Sequence, residues 1–300
     1  MKLRIATRRS PLALWQARHV ATALTALPTV ETVELLECVT EGDRILDKSL
    51  AKVGGKGLFI KELEQAMLDG RADLAVHSMK DVPATPPDGF AFPAYLDRED
   101  PRDALVGRTL DELAMGARVG TSSLRRQAQL KHRRPDLDVQ PVRGNVGTRL
   151  SKLDGGDFDA IMLATAGLKR LDLAERIAES LPPETMLPAC GQGIVGIECR
   201  ADAAAVRTLL AELDDPRSRR VLSAEREVAA ALNADCHAPL GAHAIVDGDE
   251  LWLRAMVAAP DGSDLVAAEA RSVGDARGLG GVVADSLLAQ GAARWLGAAA

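Results

Sequence analysis

Lys2-Leu3-Arg4-Ile5-Ala6-Thr7-Arg8-Arg9-Ser10-Pro11-Leu12-Ala13-Leu14-Trp15 opens the chain with a change of period. Leu3 to Thr7 reads as a short strand. Ser10 then offers an N-cap oxygen, and Pro11, lacking an N–H and fixed in φ, suits the first helical position. The spacing predicts a helix to about Leu27, with Leu12, Trp15, His19 and Leu24 near one face. Val33 to Val39 follows as a strand, Leu58 to Leu68 as a helix, and Ala72 to Met79 as a buried strand ended by Pro83, Pro86, Pro87 and Gly89. This alternation is that of an α/β layer with a mostly parallel sheet.

A second unit begins near Asp100-Pro101-Arg102. Arg118 to Thr121 is strand-like, Ser122 or Ser123 caps a helix through His132, and Val139 to Val142 is strand-like again. Gly144 to Leu153 reads as helix and Phe158 to Ala164 as a buried strand, so the architecture repeats without a sequence repeat. Gln192 to Glu198 and Ala203 to Leu213 add a strand and a helix. Beyond Asp215 the pattern changes to a helix, Arg217 to Leu232, two antiparallel strands around Asp247-Gly248-Asp249, and an alanine-rich closing helix. The expected division is 1-96 completed by 194-213, then 97-193, then 214-300: two α/β lobes and a small α+β C-terminal domain.

Composition narrows the function classes. Three hundred residues suffice for two or three domains, and 47% hydrophobic with 27% charged residues is ordinary for a soluble globular protein. No apolar run approaches the roughly 20 residues of a membrane span, and the N-terminus lacks the apolar block of a signal peptide, so a cytoplasmic protein without a membrane segment is expected. Cys38, Cys190, Cys199 and Cys236 form no Cys-x-x-Cys pair, so no metal site is expected. Three of them read as small buried hydrophobes. The net charge of −6 argues against a nucleic-acid binder, yet from Arg118 to Lys152 nine lysines and arginines stand against Asp136 and Asp138. That excess suggests one face built for an anion.

Arg125 and Arg126 sit just inside a helix start bearing Thr121, Ser122 and Ser123, where free amides, the helix dipole and guanidinium forks attract carboxylate or phosphate. A solvated basic helix is the plainer alternative, but Arg143-Gly144-Asn145 and Arg149 follow the next strand and favour the anion. Arg8 before Ser10 repeats the construction. Two such junctions facing each other across a cleft between domains would clamp a polyanion, with Gly54-Gly55-Lys56-Gly57, which lacks the full phosphate-loop pattern, as a mobile cover. In His77-Ser78-Met79-Lys80-Asp81-Val82-Pro83, at a strand end, Asp81 suits a cation and Lys80 an anion, against the alternative of an ordinary polar cluster; His77 reads as structural. Cys236 lies in a loop beside His237, more open to chemistry than a core thiol, with a bystander thiol as the alternative reading.

Together with Ala51 to Phe59, Arg98-Glu99-Asp100-Pro101-Arg102-Asp103, Gly120 to Gln127 and Arg143 to Leu150, these segments resemble the porphobilinogen deaminase (hydroxymethylbilane synthase) family along nearly the whole chain. The resemblance implies two periplasmic-binding-protein-like lobes with mixed, mainly parallel sheets plus the small C-terminal domain, and a dipyrromethane cofactor joined by a thioether to Cys236. It implies stepwise addition of four porphobilinogen molecules and hydrolysis to the linear tetrapyrrole of haem biosynthesis. Asp81 would be catalytic, assisting loss of ammonia and stabilising the cationic methylene-pyrrolenine. Arg8, Ser10, Lys80, Ser123, Arg125, Arg126, Arg143, Arg149 and Arg170 would hold the carboxylates of cofactor and growing chain. A monomer, with possible transfer of product to uroporphyrinogen-III synthase, would follow. The family usually has glycine before the cofactor cysteine; here Asn233-Ala234-Asp235 precede Cys236, and Asp235 sets a like charge beside an acidic cofactor while tolerating a left-handed backbone. The rival from another class is a non-enzymatic two-lobed binding protein for a small anion, which would have no use for Asp81 and Cys236 together.

Overall fold

The computed structural model describes residues 1–39, 60–235, 238–274 and 276–296. The glycine-rich loop around Lys56, and Cys236 with His237, lie outside the described residues. The chain divides into two compact units, 1–98 with 194–219, and 99–193 with 220–300.

In the first unit β1 (Lys2–Arg8), β2 (Thr32–Cys38), β3 (Leu74–Ser78), β4 (Phe90–Tyr95) and β10 (Val195–Arg200) form one sheet in the order β2-β1-β3-β10-β4. β1 lies parallel to β2 and β3, whereas β10 runs antiparallel to both its neighbours. Helices α1 (Pro11–Thr25) and α6 (Ala204–Ala211) cover one face, burying Leu3, Ile5, Val20, Leu24, Val76 and Leu210. Helix α2 (Lys61–Leu68) covers the other through Leu63 and Met67 against Ala6 and Ala75. Helices on both faces bury β3 at four of its five positions, which is why it reads as a short apolar run.

The lobe in the second unit follows the same plan. β5 (Asp103–Val106), β6 (Arg118–Gly120), β7 (Asp138–Gln140), β8 (Ala160–Ala164) and β9 (Ile177–Leu181) take the order β7-β6-β8-β5-β9, with β5 alone running against the rest. Helices α3 (Leu124–Arg133), α4 (Val146–Asp154) and α5 (Thr165–Arg170) complete it. Both lobes are thus α/β with mixed, mainly parallel sheets. Helix α7 (Pro216–Ala231) leads to the antiparallel sheet β11 (Leu240–Asp247), β12 (Glu250–Ala258) and β13 (Leu265–Val273), then α8 (Leu279–Ala289) and α9 (Ala293–Leu296). Met256 and Ala258 of this small α+β part pack on Ala128 and Leu187 of the lobe. No helix among the described residues is long and apolar enough to cross a membrane.

Two expectations need correction. Helix α1 buries Gln16, Ala17, Val20 and Leu24, while His19 is exposed and stacks on Trp15 at 5.0 Å; of the four residues expected near one face only Leu24 is buried. The small Ala17 permits the close approach that Trp15 would block. Four strands also escaped the reading: β4, β5, β9 and β13. β4 carries Pro93 and is tolerated because it is an edge strand. β13 is exposed at every second position and rich in alanine, which hides its period.

Gly280 marks the closest helix contact in the C-terminal part. Its N–H donates to Glu227 at 2.9 Å, and an added Cβ would stand 2.5 Å from Glu227 Cβ and 2.7 Å from the Ala224 carbonyl oxygen. Gly280→Ala is expected to cost about 1–3 kcal/mol as the helices are forced apart. Urea unfolding monitored by circular dichroism checks this; an unchanged midpoint would mean that α8 shifts without cost.

Candidate functional site

The sequence-predicted residues collect at the carboxyl ends of the parallel strands, the edge where α/β sheets place ligands. In the first unit β1 ends at Arg8 and its parallel neighbour β3 at Ser78, so Arg8, Ser10, Lys80 and Asp81 share one edge. Ser10 caps α1 by accepting from the Ala13 N–H at 3.4 Å. Arg8 and Lys80 are half-buried and Asp81 is exposed.

Asp81 stands on a 3-10 turn, Met79–Asp81, that is seated from below. The Met79 N–H donates to the Ile194 carbonyl at 3.0 Å, and Gln16 Nε2 donates to the Ser78 hydroxyl at 2.8 Å. The Met79 side chain is buried over Gly196, where any Cβ would overlap its sulfur. Beneath it His77 Nε2 lies 2.8 Å from Glu198 Oε2, both buried, which fits a structural role for His77. An exposed carboxylate on so constrained a turn keeps a fixed position without spending its oxygens on the fold.

The corresponding edge in the second unit carries Ser123, Arg125, Arg126, Arg143, Arg149 and Arg170. Ser123 is the cap of α3, accepting from the Arg126 N–H at 3.5 Å, while the Ser122 hydroxyl donates to the Val142 carbonyl at 2.8 Å. Asn145 caps α4 through the Thr148 N–H at 2.9 Å, and Arg149 Nε donates to the Gly144 carbonyl at 2.8 Å. Arg170 is buried and donates to the Gly193 carbonyl at 2.6 Å; burial pulls its pKa down, against the opposing charge of Glu99.

Arg125 and Arg126 converge on a residue that sequence reading passed over. Asp103, fully buried at the start of β5, accepts from Arg125 Nη1 at 2.6 Å and Nη2 at 3.1 Å, from Arg126 Nε at 2.9 Å and Nη2 at 2.7 Å, and from Gln192 Nε2 at 2.9 Å. Burial, the largest single influence, pushes its carboxyl pKa up, but the charges of Arg125 and Arg126 and the hydrogen bonds outweigh it and hold the carboxyl below its usual range. Two guanidinium groups on one carboxylate leave this buried cluster cationic. The available signal was an acidic residue opening the apolar run Asp103-Ala104-Leu105-Val106 in an arginine-rich region.

The basic excess from Arg118 to Lys152 does not form one face. Lys131 donates to the Leu137 carbonyl at 2.8 Å and Arg134 pairs with Asp136 at 2.7 Å, both at the far end of α3 from Arg125, where cations offset the helix dipole. Among the described cysteines, Cys38 and Cys199 are buried as expected, and burial raises both thiols, Cys199 to about 11; Cys190 is only half-buried. Asn233 takes the left-handed backbone, φ 48°, and Asp235 does not, so the left-handed tolerance of Asp235 is not called on.

The depressed Asp103 pKa fixes the sign of its linkage. The carboxylate contributes stability that is complete above its unfolded value, roughly pH 4, and is lost only as pH falls from there through the folded value. Asp103→Asn, which removes the carboxylate shared by two buried guanidinium groups, is expected to cost about 3–5 kcal/mol from pH 7 down to about pH 5. Urea unfolding at several pH values checks this; a loss under about 1 kcal/mol, or one confined to acid, would contradict it.

Two family models match the chain. The model of the porphobilinogen deaminase dipyrromethane cofactor binding domain matches residues 3–208, and that of the porphobilinogen deaminase C-terminal domain matches residues 220–289. Among solved structures, a double mutant of the BvgS VFT2 domain from Bordetella pertussis is similar at 16% identity and TM-score 0.43, over 71% of this chain and 86% of that one. The methionine binding protein MetQ is similar at 13% identity and TM-score 0.44, over 73% and 92%. The probable amino-acid transporter binding protein ytmK from Bacillus subtilis is similar at 10% identity and TM-score 0.43, over 71% and 90%. Nothing about ligand or activity passes from these three to this chain. The two family matches together span both lobes and the C-terminal part, and the chain belongs to the porphobilinogen deaminase family, transferases of tetrapyrrole biosynthesis.

Proposed function

We propose that Asp81 is the catalytic carboxylate of the deaminating condensation of porphobilinogen and that Cys236 carries the dipyrromethane through a thioether. The observation that supports the first role most directly is the exposure of Asp81 on a turn whose backbone and neighbours are tied down. As the carbon–nitrogen bond of porphobilinogen breaks and ammonia departs, positive charge develops on the substrate pyrrole, and a fixed carboxylate stabilises it. The nucleophilic pyrrole carbon is what the dipyrromethane supplies when bound.

The donors at the two strand edges fit an acidic cofactor. Arg8, Ser10 and Lys80 in the first unit, and Ser123, Arg125, Arg126, Arg143, Arg149 and Arg170 in the second, hold carboxylates of cofactor and substrate. Arg125 and Arg126 contribute largely through the net positive charge of the Asp103 cluster, since Asp103 takes much of their bonding capacity. For Cys236 the support is chemical: Cys38 and Cys199 are buried with raised pKa values and are poor nucleophiles. The proposed domains are 1-96 with 194-213, 97-193 and 214-300. The protein acts as a cytoplasmic monomer whose product passes to uroporphyrinogen-III synthase.

Asp81→Asn is expected to fold with an unchanged thermal midpoint and to lose on the order of 10² or more in turnover. Near-normal turnover would remove Asp81 from the mechanism. Peptide mapping of the purified protein by mass spectrometry is expected to place the dipyrromethane on Cys236; fully active protein with Cys236 unmodified would contradict the attachment.

A further inference from the structure

Within the second unit, where α3 faces β12 and β13, there is a cavity of about 690 Å3. None of the residues given a role in porphobilinogen chemistry lines it. Leu187, Met256 and Leu265 form an apolar wall, and a space of this size accommodates a drug-sized molecule. The wall is preformed: the Leu187 N–H donates to Gln129 Oε1 at 2.7 Å, and its carbonyl accepts from Arg125 at 2.6 Å and Gln129 at 3.1 Å.

Arg254 selects the ligand. Its guanidinium lies 4.2 Å from the Trp252 ring centre, with Arg271 4.4 Å from the same ring, so its orientation is held by the indole. Its Nη1 is paired with Glu184 at 2.5 Å, but its Nε is cut off from solvent and donates to nothing. An incoming carboxylate that exchanges with Glu184 would take over the charge-assisted pairing at Nη1. Glu184 is 66% exposed and free to yield its place. On the rim Arg133 and Arg254 are offset by Glu184 and Glu269, so the site holds no surplus charge for a polyanion such as the growing tetrapyrrole. One carboxylate and a flat apolar body match it.

We propose that this cavity is a second ligand site, for a small aromatic monocarboxylate whose ring lies on Leu187, Met256 and Leu265 and whose carboxylate pairs with Arg254. Calorimetric titration of the full chain with 1-naphthoate, and with the neutral 1-naphthalenemethanol, tests this. Naphthoate is expected to bind saturably, and the alcohol about tenfold more weakly or worse, as loss of a charge-assisted bond implies. Arg254→Met is expected to weaken naphthoate by a similar factor, and Ala267→Trp, which fills the cavity from an exposed position on β13, to abolish binding; thermal midpoints verify that both variants fold. Absence of saturable naphthoate binding up to about 1 mM, equal affinity for acid and alcohol, or unchanged affinity in both folded variants overturns the proposal. No porphobilinogen turnover is read, so failure of the roles proposed for Asp81 or Cys236 would leave this result standing.

Discussion

The buried carboxylate of Asp103 is the constraint around which the second unit is arranged. Alone, an ionised carboxylate in that position would be prohibitively costly, and so would either guanidinium. Held together, Arg125 and Arg126 of α3 and Gln192 tie two separate stretches of chain to the start of β5. The same bonds draw the first turn of α3 against the sheet, which leaves Ser123 and the helix amides at the carboxyl edge. The structural ion cluster thus stands at the same edge as Ser123 and the first amides of α3.

In the first unit the candidate carboxylate, Asp81, is exposed, and the turn beneath it is seated by a backbone hydrogen bond to Ile194, a glutamine on Ser78, and a methionine packed where only Gly196 leaves room. The edge that carries Asp81 also carries Arg8 and Lys80, and the corresponding edge of the second unit carries the candidate arginines. Both edges fall at the same topological position, because both lobes use the same strand order with a single reversed strand.

Much of this was legible in the chain. Ser10-Pro11, Ser123 and Asn145 announce helix starts, and Pro83 to Gly89 the end of β3, because caps and breakers act locally and do not depend on the fold. Arg8, Arg125, Arg126 and Asp81 were readable as candidates because they flank those boundaries, whereas Arg170 came only with the family resemblance. What escaped was set by distant partners. Asp103 looks like any acidic residue until β5 is placed beside β8, and β5 is too short to show a period. The basic stretch looked like one surface because linear charge density does not say which cations serve helix ends and which serve a ligand. Helix α1 was rotated in the reading because Trp15 is the larger hydrophobe, whereas close packing on the sheet selects Ala17 and Val20.

The central claim is that this chain deaminates and joins porphobilinogen rather than merely binding a small anion. Incubation of the purified protein with porphobilinogen, with ammonia and linear tetrapyrrole followed together, tests it most directly. The account predicts one ammonia released for each porphobilinogen consumed, with tetrapyrrole appearing in step; binding of porphobilinogen with no release of ammonia by cofactor-loaded protein would contradict it.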